Sequence, residues 1–215
     1  MRTGGSSAPE PVELAFVHRF VPGKSRATLL VLHGTGGDED DLLPLARELS
    51  PDAGLLAPRG QVLEDGMRRF FRRLAIGVFD EDDVQRRAAE LAAFVDAAAR
   101  GYGFDPTRLY ALGYSNGANM AAAMLLLHPH ALAGAVLIRS VLPLEPPEPP
   151  GLDGKPVLIS AGANDPFSPR PRVEALAERL KSARAAVELR WHTAGHELAS
   201  DEWNAIRDWI GRHVV

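Results

Sequence analysis

The chain has 215 residues, 46% hydrophobic and 24% charged, with 20 Gly and 17 Pro, which suits a chain that buries a substantial core and excludes a fibrous or disordered one. Its 24 basic and 28 acidic residues give a formal charge of −4, the wrong sign for a phosphate-binding surface, so nucleic acid is not expected as a partner. Cysteine is absent, which removes disulfides, thiolate nucleophiles and Cys-based metal sites and leaves Ser, Thr, Lys, Tyr, His or a carboxylate for covalent chemistry.

Residues 1–10 hold Gly, Ser and Pro without the apolar stretch of a signal peptide and read as a flexible N-terminus, with 11–215 as one domain. No apolar run approaches the roughly 20 residues of a membrane span, so a cytoplasmic location is expected. Residues 12–20 alternate as an edge strand, and 28–33 form a continuous apolar run of the kind buried on both faces. After a glycine loop, the acids Asp38 to Asp41 lead into a helix ending near Leu49. A short strand follows at 54–57, then a long connection through Phe70 and Phe71. Three acids from Glu81 open a helix that runs to about Gly101. Strand 108–113, a tight turn and helix 117–127 come next. Strands 134–138 and 157–160 flank a proline-rich segment, and helix 169–183, strand 187–193 and helix 198–213 close the chain. Buried-type strands alternating with helices predict an α/β fold, a mostly parallel central sheet covered by helices on both faces.

Gly113-Tyr114-Ser115-Asn116-Gly117 has the form G-x-S-x-G and lies between a strand and a helix, the context of a nucleophile elbow. A serine hydroxyl needs a base to take its proton and a third group to orient that base. Asp165 falls in the loop after strand 157–160, and His196 in the loop after strand 187–193. The order Ser, Asp, His and three placements just past strand ends together predict a Ser115–His196–Asp165 triad. His18, His128, His130, His192 and His213 lie in strands, at a helix end or near the terminus and read as surface or capping residues. The backbone N–H groups of Asn116, next to the nucleophile, and Thr35, in the loop after the first buried strand, are the expected oxyanion donors. His33 is expected to order that loop. The glycine loop lacks the Gly-Lys-Ser/Thr of a phosphate cradle, and Asp38 to Asp41 are acids of a helix start, so neither a phosphate site nor a metal is expected there.

Leu32-His33-Gly34-Thr35-Gly36-Gly37, the elbow through Ala118, Gly162-Ala163-Asn164-Asp165-Pro166 and Gly195-His196 resemble the loop, elbow, acid and base motifs of the phospholipase/carboxylesterase family of α/β-hydrolases, over residues 27–213. Arg69 to Leu74 leading to Gly77-Val78-Phe79-Asp80 is similar to a bacterial subgroup associated with hydroquinone-responsive carboxylesterases. The resemblance implies an α/β-hydrolase fold, no cofactor, and hydrolysis of a small-molecule ester through an acyl-enzyme on Ser115; from the length of 215 residues no large lid domain is expected. A thioesterase or lysophospholipase-type acyl hydrolase would use the same triad. The rival of a different class is a hydrolase-fold protein that binds a small ligand without turning it over. The segment between the later strands, residues 142–156, is short and proline-rich, which points to an open site for short or compact esters. Phe70, Phe71, Leu142 and Phe167 are the expected apolar walls. The sequence is also compatible with a homodimer.

Overall fold

The strand sequences alternate between two faces, and each face finds its own cover. In a computed structural model, which describes residues 14–146, 148 and 150–214, the elements run in chain order β1 (His18–Val21), β2 (Thr28–Leu32), α1 (Leu43–Leu49), β3 (Gly54–Pro58), β4 (Val62–Glu64), β5 (Met67–Arg69), β6 (Arg73–Ala75), β7 (Val78–Phe79) and α2 (Glu81–Tyr102). A 3-10 turn at Pro106–Arg108 precedes β8 (Leu109–Tyr114), α3 (Asn116–Leu127), β9 (Gly134–Ile138), β10 (Pro156–Gly162), α4 (Arg170–Ser182), β11 (Ala186–His192) and α5 (Glu202–His213). The expected N-terminal segment 1–10 lies outside the described residues.

The central sheet has the order β1-β3-β2-β8-β9-β10-β11, with β1 antiparallel to β3 and the other neighbours parallel. Leu30, Leu32, Ala111, Leu137 and Ile159 point to a core shared with α2, α3 and α4, while Leu29, Val31, Leu112, Val136 and Leu158 point to a second core shared with α1 and α5. The continuous apolar strands are thus buried on both faces. β2 leads through α1 to β3 on one side, yet its other neighbour is β8, so the direction of winding reverses between β2 and β8. The loops after these two strands open a crevice at the C-terminal sheet edge.

Four segments depart from the expected elements. The edge strand expected over 12–20 is β1 at His18–Val21, and the described residues 14–17 form no strand. The helix expected from Asp38 starts at Leu43, because Asp38 Oδ1 accepts from the N–H of Asp40 at 3.0 Å and Asp38 O from that of Asp41 at 3.4 Å, spending the acids on turns. α5 starts at Glu202 rather than residue 198. The long connection is two β-hairpins, β4–β5 and β6–β7, whose strands are too short to give a periodic signal.

Candidate active site

β8 feeds α3 through a turn that puts Ser115 at φ 53° and ψ −114°, a left-handed region that a side chain occupies only under strain. The surrounding glycines make the turn feasible. A Cβ on Gly113 would sit 2.7 Å from Ala118 Cα, and one on Gly117 2.2 Å from the Leu32 carbonyl oxygen, so strand and helix meet only where both lack side chains.

Ser115 Oγ lies 2.9 Å from His196 Nε2, and His196 Nδ1 lies 2.8 Å from Asp165 Oδ2. The carboxylate can only accept, so Nδ1 carries the proton and Nε2 is left to accept from the serine hydroxyl. Asp165 is 5% exposed, and its other oxygen, Oδ1, accepts from the Phe167 N–H at 2.8 Å. One carboxylate therefore shapes its own turn and faces the imidazole. Phe167 meets the His196 ring edge-on at 5.1 Å, and the tilted Tyr114 ring lies 5.4 Å from it.

Thr35 follows β2 and Asn116 opens α3. Among the described residues no protein acceptor takes the backbone N–H of either. The Thr35 hydroxyl accepts from Arg69 Nη1 at 2.7 Å, and Asn116 Oδ1 accepts from the Phe70 N–H at 2.6 Å, so both carriers are tied to the β5 region. His33 donates from Nδ1 to the Gly34 carbonyl at 2.6 Å and accepts at Nε2 from the Gly60 N–H at 2.9 Å. Burial pushes its imidazole below the ordinary value.

Ser115, Asn116, Thr35 and His196 share a cavity of about 650 Å³ with Phe167, Met67, Ile76, Phe79, Asn119 and Arg172. Of the four expected apolar walls only Phe167 lines it. Phe70 is buried against His33 with ring centroids 4.7 Å apart, Phe71 is buried edge-on to Phe79 at 5.1 Å, and Leu142 packs on the larger core. The two phenylalanines stand behind the wall because the chain at Phe70 is drawn inward by Asn116. The hairpins supply what the sequence left unassigned, with Met67, Ile76 and Phe79 facing the cavity. Arg69 and Arg73 share the carboxylate of Glu64, while Arg172 donates to the Gly77 carbonyl at 2.7 Å and lies 5.1 Å over the Phe79 ring. Arg139, also beside the cavity, is bonded to Glu202. Its signal in the sequence is one arginine directly after five apolar strand residues.

The chain matches the profile of the Dienelactone hydrolase family over residues 65–208. It belongs to that family, and so to the α/β-hydrolases. Over 198 residues it is 44% identical to MhqD of Bacillus subtilis, itself a hydrolase by inference, covering 92% of this chain and 99% of MhqD. A carboxylesterase from Bacillus cereus superposes with a TM-score of 0.88 at 45% identity, over 91% of this chain and 93% of that one. One from Mesorhizobium loti gives 0.87 at 35% identity, over 93% and 96%. The chain is therefore a hydrolase-family protein of carboxylesterase-like architecture. Among its described residues no helix is long and apolar enough to cross a membrane.

Proposed function

We propose that this protein hydrolyses carboxylic esters through an acyl-enzyme on Ser115. The observation that carries the reading is the unbroken chain from Ser115 Oγ to His196 Nε2 at 2.9 Å and from His196 Nδ1 to Asp165 Oδ2 at 2.8 Å. Oγ attacks the ester carbonyl as Nε2 takes its proton; the carbonyl oxygen becomes an oxyanion facing the N–H groups of Thr35 and Asn116. As the tetrahedral intermediate collapses, the imidazolium returns the proton to the leaving alcohol, and Asp165 stabilises the cation meanwhile. Water, deprotonated by His196, then attacks the acyl-enzyme and releases the acid with Ser115 restored. Two unengaged backbone donors suit this role, since loss of one such donor typically costs about 2.7–4 kcal/mol of barrier. The substrates are short or compact esters, because the described residues between β9 and β10 form no helix that could fold over a long acyl chain.

A fluorophosphonate probe tests the reading. The wild type is expected to be labelled on Ser115 and to lose ester hydrolysis in proportion, whereas Ser115→Ala takes no label and falls in kcat by about 10⁶-fold. Absence of label on the wild type, or equal label on Ser115→Ala, would turn the reading toward a ligand-binding protein.

A further inference from the structure

The loop that carries His196 is gripped from outside. Gly195, His196 and Glu197 present three successive carbonyls, and each accepts from a side chain of another element: Gly195 O from Arg139 Nε at 2.9 Å, His196 O from Tyr114 Oη at 2.8 Å, and Glu197 O from Arg139 Nη2. These bonds matter because residues 193–201 lie between β11 and α5, outside any helix or strand that would fix them.

The arginine is held as firmly as it holds. All five of its N–H donors are accounted for: Nη1 also reaches Ser160 O at 3.3 Å and Glu202 Oε1 at 2.7 Å, and Nη2 reaches Glu202 Oε2 at 2.8 Å. Glu202 in turn accepts from Ser160 Oγ and from the Ala199 N–H at 3.0 Å. The side chains of Arg139 and Glu202 are both fully buried, and Arg139 sits at φ +57°. A buried ion pair is a poor source of net stability, and a left-handed arginine adds strain, so stability alone does not account for the arrangement. The backbone of the same residue touches the acid side: Arg139 O accepts from Ser168 Oγ at 3.0 Å, three residues past Asp165. One residue thus joins the loops of the base and the acid.

We propose that Arg139, neutralised by Glu202 and assisted by Tyr114, is the positioning residue of the catalytic base, fixing the His196 ring between Ser115 and Asp165. The inference rests on the reading of His196 as the base. Lysine cannot replace Arg139, since three donors on a point charge cannot reach two carbonyls and a bidentate carboxylate together.

The test uses the double variant Arg139→Met/Glu202→Leu, because Arg139→Met alone strands a buried carboxylate. Rates are normalised to fluorophosphonate-titrated sites. Expected is a fall in kcat of about 100-fold with KM within about twofold, the mark of a base displaced by a fraction of an ångström to an ångström. The downfield proton resonance of the imidazole N–H bonded to Asp165 should also be lost or broadened. Arg139→Lys and Tyr114→Phe, which perturb the grip more gently, should lower kcat without changing KM, and they carry the test if the double variant does not fold. Wild-type kcat per titrated site with the resonance intact, in the double variant or in both gentler ones, overturns the proposal. Wild-type activity in Ser115→Ala overturns the catalytic reading and the clamp with it, so the two failures are told apart by that control.

Discussion

His33 and Asp165 each use both hydrogen-bonding atoms of the side chain, which makes their substitutions informative. The Nε2 of His33 accepts from the Gly60 N–H, so protonation there would set two donors against each other at a site 1% exposed. The unfolded chain releases this proton at about 6.5, the fold at a lower value, because burial penalises the cation more than the Gly34 carbonyl and the nearby acids Asp41, Asp38 and Glu39 favour it. A depressed value means that the unfolded state binds more protons: the stabilisation is complete above about 6.5 and is lost as pH falls through the folded value. Thermal unfolding from about pH 8 to 5 should show Tm of the wild type dropping more steeply than that of His33→Asn, whose side chain does not titrate. For Asp165→Asn the turn bond to the Phe167 N–H survives, but an amide N–H facing Nδ1 selects the other tautomer and puts the imidazole proton on Nε2. That nitrogen can no longer accept from Ser115, and kcat should fall about 10⁴-fold with folding retained. That Ser115, Asp165 and His196 come together could be read from the sequence because each falls just past a strand end. Arg139 stood out only as one arginine after five apolar strand residues, and Tyr114 not at all, because the loop carbonyls they hold carry no sequence signal and Glu202 lies 63 residues from Arg139.

At the level of elements, the β4–β5 and β6–β7 hairpins form the cavity wall expected from the sequence at Phe70, Phe71 and Leu142. Strands of two or three residues give no period, and the exposure of Leu63, Leu74, Ile76 and Val78 breaks the rule that apolar side chains turn inward. Asn116 and His33 draw Phe70 into the core, and the wall passes to Phe79, held between Phe71 and the Arg172 guanidinium. Two consequences can be measured with nitrophenyl esters of increasing acyl length. The wild type should be fastest on short or compact acyl groups, and a preference for long chains would contradict a site without a helical cover. Phe79→Ala should raise KM for the better apolar esters by about tenfold while leaving kcat nearly unchanged, since it removes contact made equally by ground and transition states.

Across the whole molecule, the sheet separates two cores of different size, and α5 links the smaller one to the chemistry. Ile206, Trp209 and Ile210 of α5 are buried with Leu29, Leu112 and Leu158, while Glu202 in its first turn engages Arg139. The alternating strands made this division legible in advance: neighbouring residues such as Leu29 and Leu30 had to serve opposite faces once the sheet was parallel and covered twice. What sequence alone did not convey is that the helix closing the smaller core also carries the partner of Arg139, which bonds the His196 loop, because Glu202 looks like any acid in a first helical turn. Trp209 and Glu202 are seven residues apart, two turns along one helical face, so packing and positioning can be separated by substitution. Trp209→Ala empties a site that is 1% exposed and should cost about 3–5 kcal/mol in urea unfolding, a large share of the 5–15 kcal/mol typical of a folded protein. At temperatures where the variant remains folded, kcat per titrated site should stay near the wild-type value, because the hydrogen bonds of Glu202 to Arg139, Ser160 and Ala199 anchor that end of α5 without Trp209. A parallel loss of kcat would mean that the helix, and not the ion pair at its start, sets the position of His196.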